Sequence, residues 1–174
     1  MLTGLQRISN YTTLLRQVLV NVEETRVVKR KAYFDSRDPV NALVTIGIGF
    51  NIDTVSKNLR YVLEEMGVYN LPSEIDPTKT AQEVIKEAID SVVTTFDPDL
   101  QSALDNALQQ HFSVALGATA EFAITEPQAY NILDKIINDK KYGLNGERSL
   151  DDRLRANGID VAALEGTKEY LVLT

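Results

Sequence analysis

Residues 23–52 read EETRVVKRKAYFDSRDPVNALVTIGIGFNI, and the order of signals in this stretch decides how the chain is organised. Glu23 and Glu24 close a run in which Leu14, Leu15, Val18, Leu19 and Val22 recur at helical spacing, so residues 10–24 are expected to form an amphipathic helix. The basic segment TRVVKRK follows, and its β-branched residues leave it free to prolong the helix or to open a strand. Residues 32–35 (AYFD) and 43–49 (LVTIGIG) then read as the two strands of a hairpin. The segment SRDPVN joins them as a turn, because Asp-Pro and Asn favour turn geometry. Gly47 and Gly49 mark a bend or a close backbone approach in the second strand.

Beyond this hairpin the pattern is helical. SKNLRYVLEEMG places Leu59, Val62, Leu63 and Met66 on one face and stops at Gly67. A proline-bearing loop at 68–78 leads to a helix expected over about 80–96, with Val84, Ile85, Ala88, Ile89, Val92 and Val93 inward. Asp97-Pro98 punctuates the chain before another helix at about 99–116 and a small-residue loop at 117–123. In Thr125-Glu126-Pro127-Gln128, threonine caps, proline sits in the first turn and glutamine occupies the third helical position. That helix carries Ala129, Ile132, Leu133, Ile136 and Ile137. KKYGLNGERS reads as a loop, two short helices follow, and the last begins near Glu165. The class is α+β, mostly helical.

The 174 residues, 44% of them hydrophobic, suffice for one buried core or two small lobes. Without cysteine there is no disulfide and no thiolate metal site. No 18-residue apolar run occurs, so no membrane insertion is expected, and residues 1–13 lack the charged-then-apolar pattern of a signal peptide. The net charge of −7 is uneven: residues 1–60 hold nine Lys/Arg against five Asp/Glu, and residues 61–174 hold nine against twenty. The basic end, which bears the hairpin, suits an anionic polymer, although ordinary surface variation produces the same imbalance. VVKRK is too short a footprint for nucleic acid in a chain of pI 4.8. The glycines of TIGIGF are not followed by a phosphate-loop lysine, and no acidic spacing matches a calcium loop. His111 is the only histidine, and a lone imidazole is more often structural than catalytic.

Cleavage of a glycosidic bond needs a carboxylic acid still protonated when substrate arrives, and a second group that directs water or attacks. A glutamate at the buried end of an amphipathic helix suits the first role, since desolvation disfavours its ionised form. Asp35 at a strand end suits the second, with Thr45 able to hold a water by hydrogen bonding. Acids at element ends are commonplace, and threonine is a good strand former, so residue types alone leave both readings open.

The order Glu24, then Tyr33-Phe34-Asp35, then Thr45-Ile46-Gly47-Ile48-Gly49 resembles the phage-type lysozymes, the endolysin muramidases of glycoside hydrolase family 24. A weaker echo stands at residues 124–129, where these enzymes often begin a helix. The resemblance implies a lysozyme-like fold, with a small β-hairpin lobe and an α-helical lobe, here about residues 10–60 and 61–174 of a single domain. It implies Glu24 as general acid, Asp35 as the opposite carboxylate and Thr45 as the water-positioning hydroxyl. The reaction would be inverting hydrolysis of the N-acetylmuramic acid–N-acetylglucosamine linkage of peptidoglycan, with no cofactor and no metal.

Tyr33 stands nine positions after Glu24, against the family's usual seven, which keeps Glu23 open as the acid. The turn after Asp35 is long enough to leave Asp38 open as its rival, and Phe50 stands where the family usually has histidine. In the family a run like GTKEYLVLT opens a helix that enters the large lobe and is followed by others. The expectation here is a lobe lacking its final helices, completed by a second copy or by a virion or tail protein. Such an enzyme would wait in the host cytoplasm for a holin-type pore, or travel with the virion. The alternative is a non-catalytic virion structural or assembly protein that retains a lysozyme-like fold.

Overall fold

The structure, a computed structural model, describes residue 17 and residues 28–35, 43–93, 99–142 and 150–164. Gln17 is helical, and the rest of the expected helix at 10–24 lies outside the described residues, as do the expected last helix from Glu165 and residues 94–96. Backbone proximity separates the chain into one unit of Val27–Ile132 and another of Met1–Arg26 with Leu133–Thr174. The architecture is α+β: a three-stranded antiparallel sheet followed by helices.

In the 27–132 unit the basic segment opens as strand. β1 (Lys29–Phe34) pairs with β2 (Val44–Gly47), and β2 pairs with a short β3 (Phe50–Asn51), in the order β1-β2-β3. The expected hairpin is therefore present, with β3 as an addition that its glycines make possible. Gly47 and Gly49 hold φ of 72° and 71°, a left-handed conformation that costs other residues strain, and this reverses the chain within Ile48-Gly49. A β-carbon at Gly47 would stand 2.8 Å from the Phe50 ring and 3.0 Å from Ile124 Cδ1, so glycine is also required for space.

The helices follow from capping and spacing. Before α1 (Ser56–Glu65), the Asn51 side chain accepts from the Asp53 and Thr54 N–H groups at 3.0 and 2.9 Å, and the Asn58 amide donates to the Asn51 carbonyl. Gly67, at φ 74°, ends α1 with Val68 N–H donating to Leu63 O and Gly67 N–H donating to Glu64 O, the paired bonds of a Schellman motif. Thr80 and Glu83 cap α2 (Ala81–Val93) reciprocally, as Thr125 and Gln128 cap α4 (Glu126–Tyr142). Asp99 caps α3 (Leu100–Gln110) by accepting from Ser102 N–H at 3.2 Å.

Five details differ from expectation. Val93 is 42% exposed, because the buried stripe of α2 runs through Ala81, Ile85, Ala88 and Val92, from which Val93 is rotated away. Met66 is only half-buried, at the helix cap, while Tyr61 is buried in its stead. Ile136 and Ile137 are half-buried. The helix expected to run through residue 116 changes to a π-helical turn at His111–Ala115, where His111 Nδ1 and Ser113 Oγ engage the carbonyls of Ala107 and Gln109. The loop expected from residue 140 does not start there: α4 continues through Tyr142.

The core of this unit joins Val44, Ile46 and Ile52 of the sheet region to Leu59 and Leu63, Ile85 and Ile89, and Leu104 and Leu108 from three successive helices. Phe112 and Phe122 close one side edge-to-face, ring centroids 5.4 Å apart. Among the described residues of the second unit, α5 (Leu150–Ala156) and α6 (Val161–Leu164) bury Leu154, Val161 and Leu164 around Ile159.

Two measurements test this account. Gly47→Ala is expected to destabilise the fold by about 2–4 kcal/mol in urea unfolding, combining left-handed strain with overpacking against Phe50; a neutral effect would show that the turn is not tight. The Ser102 hydroxyl, and then its N–H, hold Asp99 below the usual carboxylate range. A depressed folded value contributes stability above the unfolded value that is lost as pH falls through the folded one. Asp99→Ala should therefore be the less stable protein near neutrality, with the gap closing in acid; a pH-independent gap would refute this.

Candidate functional site

The hairpin orders the candidate residues by its register. Tyr33 stands opposite Thr45 and Phe34 opposite Val44. Strand alternation therefore sends Tyr33 and Thr45 to one face, and Phe34, Val44 and Ile46 to the other. Asp35, two residues beyond Tyr33, follows at the end of the strand. Its N–H donates to Leu43 O at 3.0 Å, and its Oδ1 accepts from Leu43 N–H at 2.8 Å. The backbone thus ties one carboxylate oxygen to the far strand. Asp35 is exposed.

Thr45 has the opposite environment. It is 4% exposed, and its Oγ1 has no hydrogen-bond partner among the described residues. A buried hydroxyl left unpaired costs about 1–3 kcal/mol, so such an atom calls for an explanation. The atom is closed off from solvent in this packing, so a water or a ligand oxygen would satisfy it only after a shift of its neighbours. A hydroxyl that can donate and a carboxylate that can accept, on one hairpin, are two of the groups needed to orient a water for attack.

Glu23, Glu24 and Asp38 lie outside the described residues. Phe50, in the position where the resemblance would have histidine, is buried, and its ring lies over Gly47. No titratable group replaces the histidine at that turn.

Two depressions are seen among the described residues of the 27–132 unit, and neither of these is lined by Asp35 or Thr45. One, of about 570 Å³, lies between residues 52–56 and α2, with Ile52 and Leu59 inside and Lys86 at its edge. Lys86 bridges Asp53, at 3.0 Å, and Asp90. Burial disfavours its charged ammonium form, but the hydrogen bonds to Asp90 and Asp53 outweigh that and raise its pKa. The other, of about 410 Å³, lies between β1, α3 and the loop at 119–122. Lys31 meets Glu121 there at 2.5 Å, and that carboxylate, by its hydrogen bond and its charge, raises the pKa of Lys31. Reading along the chain missed this second group, because its members come from segments 74 to 90 residues apart, as Lys31 to Asp105 and Lys31 to Glu121. No cluster of metal-ligating side chains occurs among the described residues, and no described helix is long and apolar enough to cross a membrane.

Thr45→Val keeps the shape and removes the orphan hydroxyl. The expected result is a gain of about 1 kcal/mol in chemical denaturation. A loss of stability would mean that Oγ1 is hydrogen-bonded in solution.

Compared with known proteins, the chain matches no family model, no curated protein and no solved structure.

Proposed function

We propose that the chain is a muramidase of the phage-lysozyme type, which hydrolyses the N-acetylmuramic acid–N-acetylglucosamine linkage of peptidoglycan by inversion. The observation that carries this reading is the register of the hairpin: Tyr33 faces Thr45, Asp35 is tethered at the strand end, and the Thr45 hydroxyl is buried without a partner. Gly47 and Gly49, both at positive φ, turn the chain tightly between Thr45 and Phe50.

In this reading Glu24 protonates the departing sugar oxygen. Asp35 takes a proton from a water that Thr45 holds by hydrogen bonding, and the water attacks the opposite face of the sugar. The Asp35 carboxylate keeps one oxygen for this task, since Leu43 N–H occupies the other. The lysozyme-like fold, the glycan partner and release to the wall through a pore or with a virion belong to the same proposal.

A second reading has an observation of its own. Asp35 is exposed, and its one tethered oxygen already serves to close the hairpin through Leu43 N–H, a structural role that suits a non-catalytic virion structural protein with a lysozyme-like fold.

Turbidity of purified cell walls decides between them. The muramidase reading expects lysis that falls about 10²–10⁴-fold in Glu24→Gln and in Asp35→Asn, with folding retained. Loss in Glu23→Gln alone would move the acid by one residue. NMR of fresh product should show the inverted anomer; retained configuration would overturn the mechanism, and no lysis by the unaltered protein would favour the structural reading.

A further inference from the structure

The depression beside β1 has the composition of a binding site. Its floor is apolar: Ala32, Leu108 and Phe122 are buried. Its rim is polar, with the exposed side chains of Asn106 on α3 and Thr119 on the loop making no hydrogen bond to another described residue. Asp105 accepts from the Gln101 amide through Oδ1.

The walls are fixed before any ligand arrives. Gln109 holds the loop from both ends of its amide, donating to Ala120 O at 3.4 Å and accepting from Phe122 N–H at 3.0 Å. Ile124 N–H donates to Arg30 O at 2.8 Å, and the Gln101 amide donates to Ala32 O at 3.0 Å, which ties both walls to β1. Six of the depression's nine lining residues are polar or charged and converge on a small apolar base, which suits a ligand held chiefly by hydrogen bonds. At about 410 Å³ the depression falls within the usual size range of roughly 300–1,000 Å³.

Charge narrows the ligand. The rim carries two carboxylates, Asp105 and Glu121, against one ammonium, and that ammonium is already paired with Glu121. An anion would meet net repulsion. A cation would gain only one carboxylate, close to the positive charge of Lys31. A neutral ring with hydroxyls for Asn106 and Thr119, an N–H for Asp105 and a methyl group for the apolar floor uses every group available.

We propose that this depression is a second, non-catalytic glycan site that takes an uncharged N-acetylhexosamine and rejects its lactyl-carboxylated counterpart. The choice of a sugar rests on the muramidase reading, while the preference for a neutral ligand rests on the rim alone. In a wall-degrading enzyme such a site would hold a neighbouring part of the strand by its N-acetylglucosamine units and raise the local concentration of bonds to be cut.

Titration of the isotopically labelled full chain with N-acetylglucosamine, followed by amide chemical shifts, tests this directly. Saturable shifts are expected at residues 31–32, 105–109 and 119–122, persisting in Asp35→Asn, with N-acetylmuramic acid at least tenfold weaker. Asn106→Trp, at an exposed helical position, should fill the mouth and abolish them. The double variant Asn106→Ala with Thr119→Ala should weaken binding about tenfold and serves if the tryptophan disturbs folding. Absence of saturable shifts would overturn the proposal, as would shifts confined to 33–35 and 43–47, equal binding of the muramic sugar, or tighter binding of glucosamine. Binding without wall lysis would sink the hydrolase and keep the site; lysis without binding would do the reverse.

Discussion

The pairing of Tyr33 with Thr45 fixes the register of the hairpin, and with it the face that each strand turns to the core of the 27–132 unit. With a pleat of period two, a slip of one residue would exchange the faces of β2, sending Thr45 into the position of Val44 or Ile46. Those two are fully buried, and their loss to the other face would open the core against which three helices close. The apolar residues therefore hold the register, and the register decides which side Thr45 takes. Burial that stabilises the sheet also isolates a hydroxyl, so the core and the candidate site are set by the same contacts.

The turn after β2 enforces this arrangement from one end. Gly47 supplies a backbone conformation and a space that no other residue can, and Phe50 fills the space. A buried aromatic at this point adds apolar area where a histidine would have added a charge. The turn is the more rigid for it, and electrostatic help for a carboxylate on the hairpin has to come from elsewhere. The tether from Leu43 N–H to Asp35 orients that carboxylate without burying it. Burial is reserved for the hydroxyl.

The helices supply the second wall of the depression beside β1. Side-chain bonds to Ala107 O and Gln109 O at the end of α3 loosen its regular ladder into a π-helical turn, and Gly117 then frees the chain to return along β1. Because Gln109 and Arg30 O catch that returning loop, Thr119 and Glu121 come to face Asp105 and Asn106. A local change of helical period thus shapes a depression between strands and helices that are remote in sequence.

What the sequence by itself determined is what depends on near neighbours. Helix stripes such as Val84, Ile85, Ala88 and Ile89 are legible because 3.6-residue spacing is intrinsic to the chain. The capping pair Thr125 and Gln128 and the glycines of the hairpin turn are legible because their chemistry acts over three or four residues. The strand assignment of KRK, the exposure of Val93, the π-helical turn and the isolation of Thr45 Oγ1 are different. Each depends on which surfaces meet, and contacts between segments separated by tens of residues leave no periodic trace. The candidate acids Glu23, Glu24, Asp35 and Asp38 follow from residue order and the resemblance that it carries. That the Asp35 carboxylate is tethered and exposed, that the Thr45 hydroxyl is orphaned, and that Lys31 faces Glu121 were decided only by the tertiary structure, since burial and pairing belong to packed surfaces rather than to a string of residues.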